Sequence, residues 1–169
     1  MWNKLNSTYN YIPRQQPENF VFHENWFIWL SHKLGGDGKV LDAFDISTAS
    51  WKVISSIQQK SKHTITMLNL VPWVPLDENG KLRYPSATEK TLWYRILKDK
   101  ILTYKPKKCF LFWKHVQNLF IKDSDVIQKN NCYKLCGTSL IFMSHPSYIY
   151  AYRKSEISSY EEDVLSKLS

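Results

Sequence analysis

Apolar residues in this chain gather into four short continuous runs, 26–30 (WFIWL), 64–70 (TITMLNL), 108–113 (KCFLFW) and 138–144 (TSLIFMS). Runs of this length without an alternating polar face suit strands buried on both sides, as in a parallel sheet. The segments between them keep helical spacing. Residues 47–59 have a Ser/Thr start and place Trp51, Val53, Ile54 and Ile57 on one stripe. Thr88 opens a second stripe of Leu92, Trp93, Ile96, Leu97, Ile101 and Leu102 that reaches Tyr104 and is stopped by Pro106. Residues 114–121 form a short helix, and 156–168 an amphipathic closing one. Pro72, Pro75, Gly80 and Pro85 make 72–86 a long loop. Residues 1–20 are polar, carry Pro13 and Pro17 and keep no period, so they are expected to be an arm lying over a domain of residues 21–169. Strand and helix alternate, which predicts a three-layer α/β/α sandwich around a four-stranded parallel sheet.

With 169 residues, 43% of them hydrophobic and 15% aromatic, the chain can bury one sizeable core but not two, and a monomer is expected. The net charge of +8 favours a polyanion, nucleic acid first; the alternative is a basic surface that serves only solubility. Cys109 lies inside an apolar run as a buried free thiol, and the three cysteines are odd in number, which speaks against a disulfide framework. Cys132 and Cys136 lack a second Cys pair or a nearby His, so no metal is expected. No stretch matches a membrane span or the apolar core of a signal peptide, which points to the cytoplasm.

Two polar residues stand at the ends of apolar runs, where open parallel sheets bind ligands. Asn69 carries an amide that can match the O4 and N3–H edge of a uracil, or can cap the turn before Pro72. His145, before Pro146, is either a satisfied structural imidazole or a group facing the O2 of a flipped pyrimidine, where it would stabilise charge developing on the base.

These segments resemble the uracil-DNA glycosylase superfamily over most of the chain beyond about Trp26. Met67-Leu68-Asn69 is similar to that family's Leu-Leu-Asn. Phe110-Leu111-Phe112-Trp113 with Val116-Gln117 is similar to its Phe-Leu-Leu-Trp-Gly with Ala-Gln, one residue shorter. His145-Pro146-Ser147-Tyr148-Ile149-Tyr150-Ala151 and Arg153 compare with His-Pro-Ser-Pro-Leu-Ser-Ala and a following Arg, five of eight positions being identical. The resemblance implies His145 as the electrophile at the uracil O2, Asn69 as the base reader and Ser147 as a phosphate contact. It places Ile149 at the wedge that enters the vacated stack, with Tyr148 and Arg153 on the same DNA-binding segment. Phe44, in Leu41-Asp42-Ala43-Phe44, matches a base-stacking Phe and is otherwise a core residue; Ser50, before Trp51, matches a phosphate-holding Ser.

The chain departs from the pattern after its first run. Where the family has Gly-Gln-Asp-Pro-Tyr-His or Gly-Glu-Ala-Pro-Gly, this chain has Ser31-His32-Lys33-Leu34-Gly35-Gly36, with no carboxylate at the strand end; Asp37, Asp42 and Asp45 are out of frame. The cysteines of an iron-sulfur cluster are missing, Trp73 standing about where one is expected, so no cofactor is implied. The expectation is a DNA-binding, glycosylase-like protein with weak or absent hydrolysis of the N-glycosidic bond of uracil. The alternatives are an inactive scaffold that binds nucleic acid or a protein such as a glycosylase inhibitor, and an enzyme for another damaged base, with Tyr148 and Tyr150 reshaping the pocket mouth.

Overall fold

The structure is a computed structural model that describes residues 11–12, 21–34, 40–41 and 48–169. In chain order its elements are β1 (Tyr11–Ile12), β2 (Asn25–Ser31), β3 (Lys33–Leu34), β4 (Val40–Leu41), α1 (Ala49–Lys60), β5 (Ile65–Val71), β6 (Val74–Pro75), α2 (Ala87–Tyr104), β7 (Lys108–Phe112), α3 (Lys114–Ile121), β8 (Val126–Lys129), β9 (Cys132–Leu135), β10 (Thr138–Met143), α4 (Pro146–Tyr152) and α5 (Ile157–Leu168). Most of the proposed arm lies outside the described residues; within it, β1 pairs antiparallel with β6.

The four apolar runs become β2, β5, β7 and β10, all mutually parallel. The central sheet has the order β5-β2-β7-β10-β9-β8, six strands in all. Its last two form an antiparallel hairpin on the edge of β10, which extends the expected four-stranded sheet. The hairpin has no apolar run because its strands are short and mostly exposed. Its turn is nevertheless encoded: Asn130 and Asn131 both take positive φ, 50° and 60°, as the tight turn of a twisted hairpin requires.

Alternate side chains of each parallel strand enter opposite cores. Trp26, Ile28 and Leu30 pack with Trp93, Leu97 and Ile101 of α2 and Val116 and Phe120 of α3. Phe27 and Trp29 pack with Val53, Ile54 and Ile57 of α1, Ile149 of α4 and Tyr160, Val164 and Leu168 of α5. Helices cover both faces, giving the three-layer sandwich. Cys109 is fully buried in β7, and burial pushes its thiol pKa far up, so it remains an inert core group.

Helix starts are set by side chains that accept the free amides of the first turn. Thr48 accepts from Trp51 N at the head of α1. Ser86 and Glu89 form a reciprocal capping box on α2, and the Arg83 guanidinium binds the buried Glu89 carboxylate with two 2.7 Å bonds. The loop 72–86 is tied into itself by a bridge between Leu76 and Leu82 and by Asp77, which accepts from the amides of Asn79 and Lys81.

The hairpin is pinned to α2 by Asp123, which accepts Lys98 Nζ on both oxygens at 2.8 and 2.7 Å and the Tyr94 hydroxyl at 2.6 Å. Burial pushes this carboxyl up, but the bonds from Lys98, Tyr94 and the Asp125 amide outweigh it and hold the pKa below the ordinary carboxylate range. A depressed folded-state pKa stabilises the protein above the unfolded value, near ~3.9, and the contribution is lost as pH falls through the folded value. Asp123→Asn is expected to cost about 1–3 kcal/mol at neutral pH. In urea denaturation the gap from wild type should narrow below pH ~4; equal midpoints at neutral pH would show that the network carries no stability.

Candidate functional site

Because β5, β2, β7 and β10 run parallel, their carboxyl ends share one edge of the sheet. That edge carries, in spatial order, Asn69, then Ser31 and His32, then Trp113, then His145. At ~4.8 Å per strand, the strands bearing Asn69 and His145 lie about 14 Å apart. His32 and Trp113 stand between the two.

Asn69 aligns with Trp29 of β2 and lies on the strand face that carries Met67 and Ile65. Its Nδ2 lies 3.1 Å from Nε2 of the buried His32. An amide nitrogen only donates, so His32 Nε2 is the acceptor in this bond. The other amide atom, Asn69 Oδ1, is buried without a hydrogen-bond partner. An orphaned buried acceptor costs about 1–3 kcal/mol, and a ligand N–H would satisfy it.

His145 caps α4. Its Nδ1 accepts the Ser147 amide at 3.2 Å, and the Ser147 hydroxyl lies 2.6 Å from the same nitrogen. A ring nitrogen that accepts an amide N–H carries no proton, so the ring hydrogen sits on Nε2 and makes that atom a donor. Trp113 packs edge-on against the imidazole at 5.1 Å. The backbone before the histidine is held by Tyr160, whose hydroxyl donates to Ser144 O at 2.7 Å. Burial, and then Asp163, push the Tyr160 pKa up, so it stays a donor at all working pH values.

Trp113 itself sits at φ 94°, ψ 130°. This conformation favours glycine and costs a side-chain-bearing residue about 1–3 kcal/mol. The resembling motif has a glycine after its Trp; in this shorter version Trp113 makes the turn from β7 into α3. Gln117, one turn into α3, donates through Nε2 to Leu111 O at 2.8 Å and Met143 O at 2.9 Å, tying the ends of β7 and β10 together. Gln117→Ala would strand both carbonyls and is expected to cost about 2–4 kcal/mol. Gln117→Glu, which removes the donor and adds charge, should cost at least as much. A thermal midpoint unchanged in both variants would contradict this role.

The remaining expected site residues are placed unevenly. Ser147, Tyr148 and Arg153 follow His145 on and just beyond α4, with Tyr148 and Arg153 exposed. Ile149, expected as a wedge, is only 3% exposed and packs in the core beneath α4. Ser50 is buried in the first turn of α1. Helix periodicity explains the burial of both. Phe44 lies outside the described residues, as do Asp37, Asp42, Asp45 and the Gly35-Gly36 pair. Trp73 is buried edge-on against Trp93. The role of His32 beside Asn69 was not read from the sequence, although its position after Ser31, just past the apolar run 26–30, was the available signal.

No curated protein matches the sequence. Among solved structures the fold is similar to the crystal structure of wild-type SMUG2 from Pedobacter heparinus, with a TM-score of 0.54 and 14% identity, covering 86% of this chain and 75% of that one. In the family comparison, residues 40–169 match the uracil DNA glycosylase superfamily. A match over that length, on a sheet edge that brings Asn69 and His145 into one row, shows that the chain belongs to the uracil DNA glycosylase superfamily.

Proposed function

We propose that this protein binds DNA and receives a flipped uracil at the carboxyl edge of its sheet. The observation that carries the reading is the buried Oδ1 of Asn69, which has no hydrogen-bond partner while Nδ2 is engaged by His32. An acceptor fixed in this way suits the N3–H of uracil and leaves cytosine, whose N3 is itself an acceptor, unpaired. His145 would donate from Nε2 to the uracil O2 and stabilise the negative charge that develops as the glycosidic bond breaks. Water would attack the sugar carbon, and uracil would leave with the bonding electron pair.

Hydrolysis is expected to be slow. Among the described residues, the four strand ends carry an amide, two imidazoles, a hydroxyl and an indole, and no carboxylate. None of these is an acid that would balance a sugar cation, and Lys33 follows His32 in the sequence. The missing acid favours a second reading, a glycosylase scaffold that holds nucleic acid without turnover. Both readings fit a single domain over residues 21–169 in a chain whose net charge is +8, and both predict salt-dependent DNA binding.

The test is incubation with uracil-containing single- and double-stranded oligonucleotides, scored for alkali-labile abasic sites, beside binding of the same strands with thymine or cytosine at the target. Slow release that is lost in Asn69→Ala supports the enzyme. Uracil-dependent binding without release supports the scaffold. Binding indifferent to the target base, with no release, would refute the pocket.

A further inference from the structure

The β8–β9 hairpin ends the sheet in an edge whose chemistry is symmetric about its own centre. β8 is the last strand in the sheet order, and among the described residues no strand pairs with its outer side. Lys129 and Cys132 flank a two-residue turn and so form a hydrogen-bonded pair. By alternation, Lys129 and Ile127 turn their backbone groups toward β9, while Gln128 and Val126 turn theirs outward. The Val126 amide donates to Asp123 O at 3.1 Å, which leaves Val126 O and both backbone groups of Gln128 for a partner strand. Soluble proteins blunt such edges with brevity or charge. β8 is short and ends in Lys129, yet it carries at its middle Ile127, whose side chain is 68% exposed. Asp125, just before the strand, meets Lys98 through Oδ2 and is still 60% exposed.

We propose that β8 is a self-association edge, which pairs antiparallel with β8 of a second copy of this chain and places Ile127 against the partner's Ile127 on a two-fold axis. Bonds form across the edge only in registers that set outward-turned residues opposite one another. The register centred on Ile127 sets Val126 opposite the partner's Gln128, so that the amide of Gln128 donates to the partner's Val126 O in both directions. It also sets Asp125 opposite the partner's Lys129, twice. A register centred on Gln128 or on Val126 would instead face Ile127 with a charged residue, the partner's Lys129 or the partner's Asp125. Charge and apolar contact therefore select the same alignment. The Ile127 pair falls at a non-hydrogen-bonded position, where Cα atoms lie ~4.5 Å apart and side chains are closest. Pairing consumes the edge on both copies, so the contact closes at a dimer, in place of the monomer expected from composition. The two-fold reverses strand direction, and the two rows of strand ends open on opposite sides of the joined sheet.

The test is sedimentation velocity of the full chain between about 1 μM and 1 mM. A strand of four residues buries less than the ~1,200 Å² of a standard interface, so a weak dimer is expected, forming within that range. Ile127→Lys would bring two ammonium groups together on the axis, and Lys129→Glu would oppose two carboxylates; each should weaken association by roughly tenfold or more. Ile127 and Lys129 are exposed, so both variants should keep the wild-type thermal midpoint. Lys62→Glu makes the same charge change beside β5, at the far end of the sheet, and should alter association by less than about threefold. Oxidation with diamide reads the register. With the exposed thiols removed by Cys132→Ser and Cys136→Ser, Ile127→Cys should link two copies through a disulfide, and Gln128→Cys should not. A chain that stays monomeric to about 1 mM would overturn the proposal. So would a dimer that survives Ile127→Lys, or one that Gln128→Cys links as well as Ile127→Cys.

Discussion

Lys33→Asp is expected to accelerate uracil release, by up to the ~10²- to 10⁴-fold that single acid-base groups supply. Lys33 opens β3 immediately after His32, next to the centre of the strand-end row. As the glycosidic bond breaks, the sugar acquires positive charge. An ammonium beside the sugar would raise the energy of that state, whereas a carboxylate there would lower it and could hold the attacking water. The gain requires that Asn69 and His145 still bind the base. Single-turnover rates on a uracil-containing strand are the measurement. A folded Lys33→Asp variant no faster than wild type would place the deficiency elsewhere, and brisk turnover by the wild-type chain would show that no acid is needed there.

His145→Ala should remove whatever release the protein has, with a loss on the order of 10²- to 10³-fold, the effect of deleting one donor to a developing anion. The same histidine caps α4, so Ala also removes a helix cap worth about 0.5–2 kcal/mol. Asn at this position separates the two roles, since its side chain caps well but cannot place an imidazole N–H at the base. His145→Asn is expected to keep the wild-type denaturation midpoint and still lose the rate. If His145→Asn retained full release, the imidazole would be structural only.

The parallel strands were legible because burial on both faces leaves an unbroken apolar run, and such a run ends where the backbone leaves the sheet. Asn69 and His145 could be placed at one sheet edge for that reason. The β8–β9 hairpin left no such trace: one face and most of the outer strand are wet, so only the Asn130-Asn131 turn marks it. Resemblance assigned Ile149 and Ser50 to DNA because their neighbours match a motif. Their burial follows from the helix packing beneath, which no motif states. The pairing of His32 with Asn69 joins residues 37 apart. Their alignment depends on β2 and β5 being neighbours, which no local pattern states.

The position of β2 also constrains how the chain can be made. Its two neighbours in the sheet are β5 and β7, so one edge waits for residues 65–71 and the other for 108–112. At ribosomal speeds of about 5–20 residues per second, a gap of about 80 residues leaves WFIWL without its second partner for roughly 4–16 s. During that interval the most apolar strand of the protein is an open template for association with other nascent chains. Synthesis of this protein should accordingly depend on factors that shield the emerging segment, and a release-arrested chain ending before β7 should be recovered in chaperone complexes rather than folded.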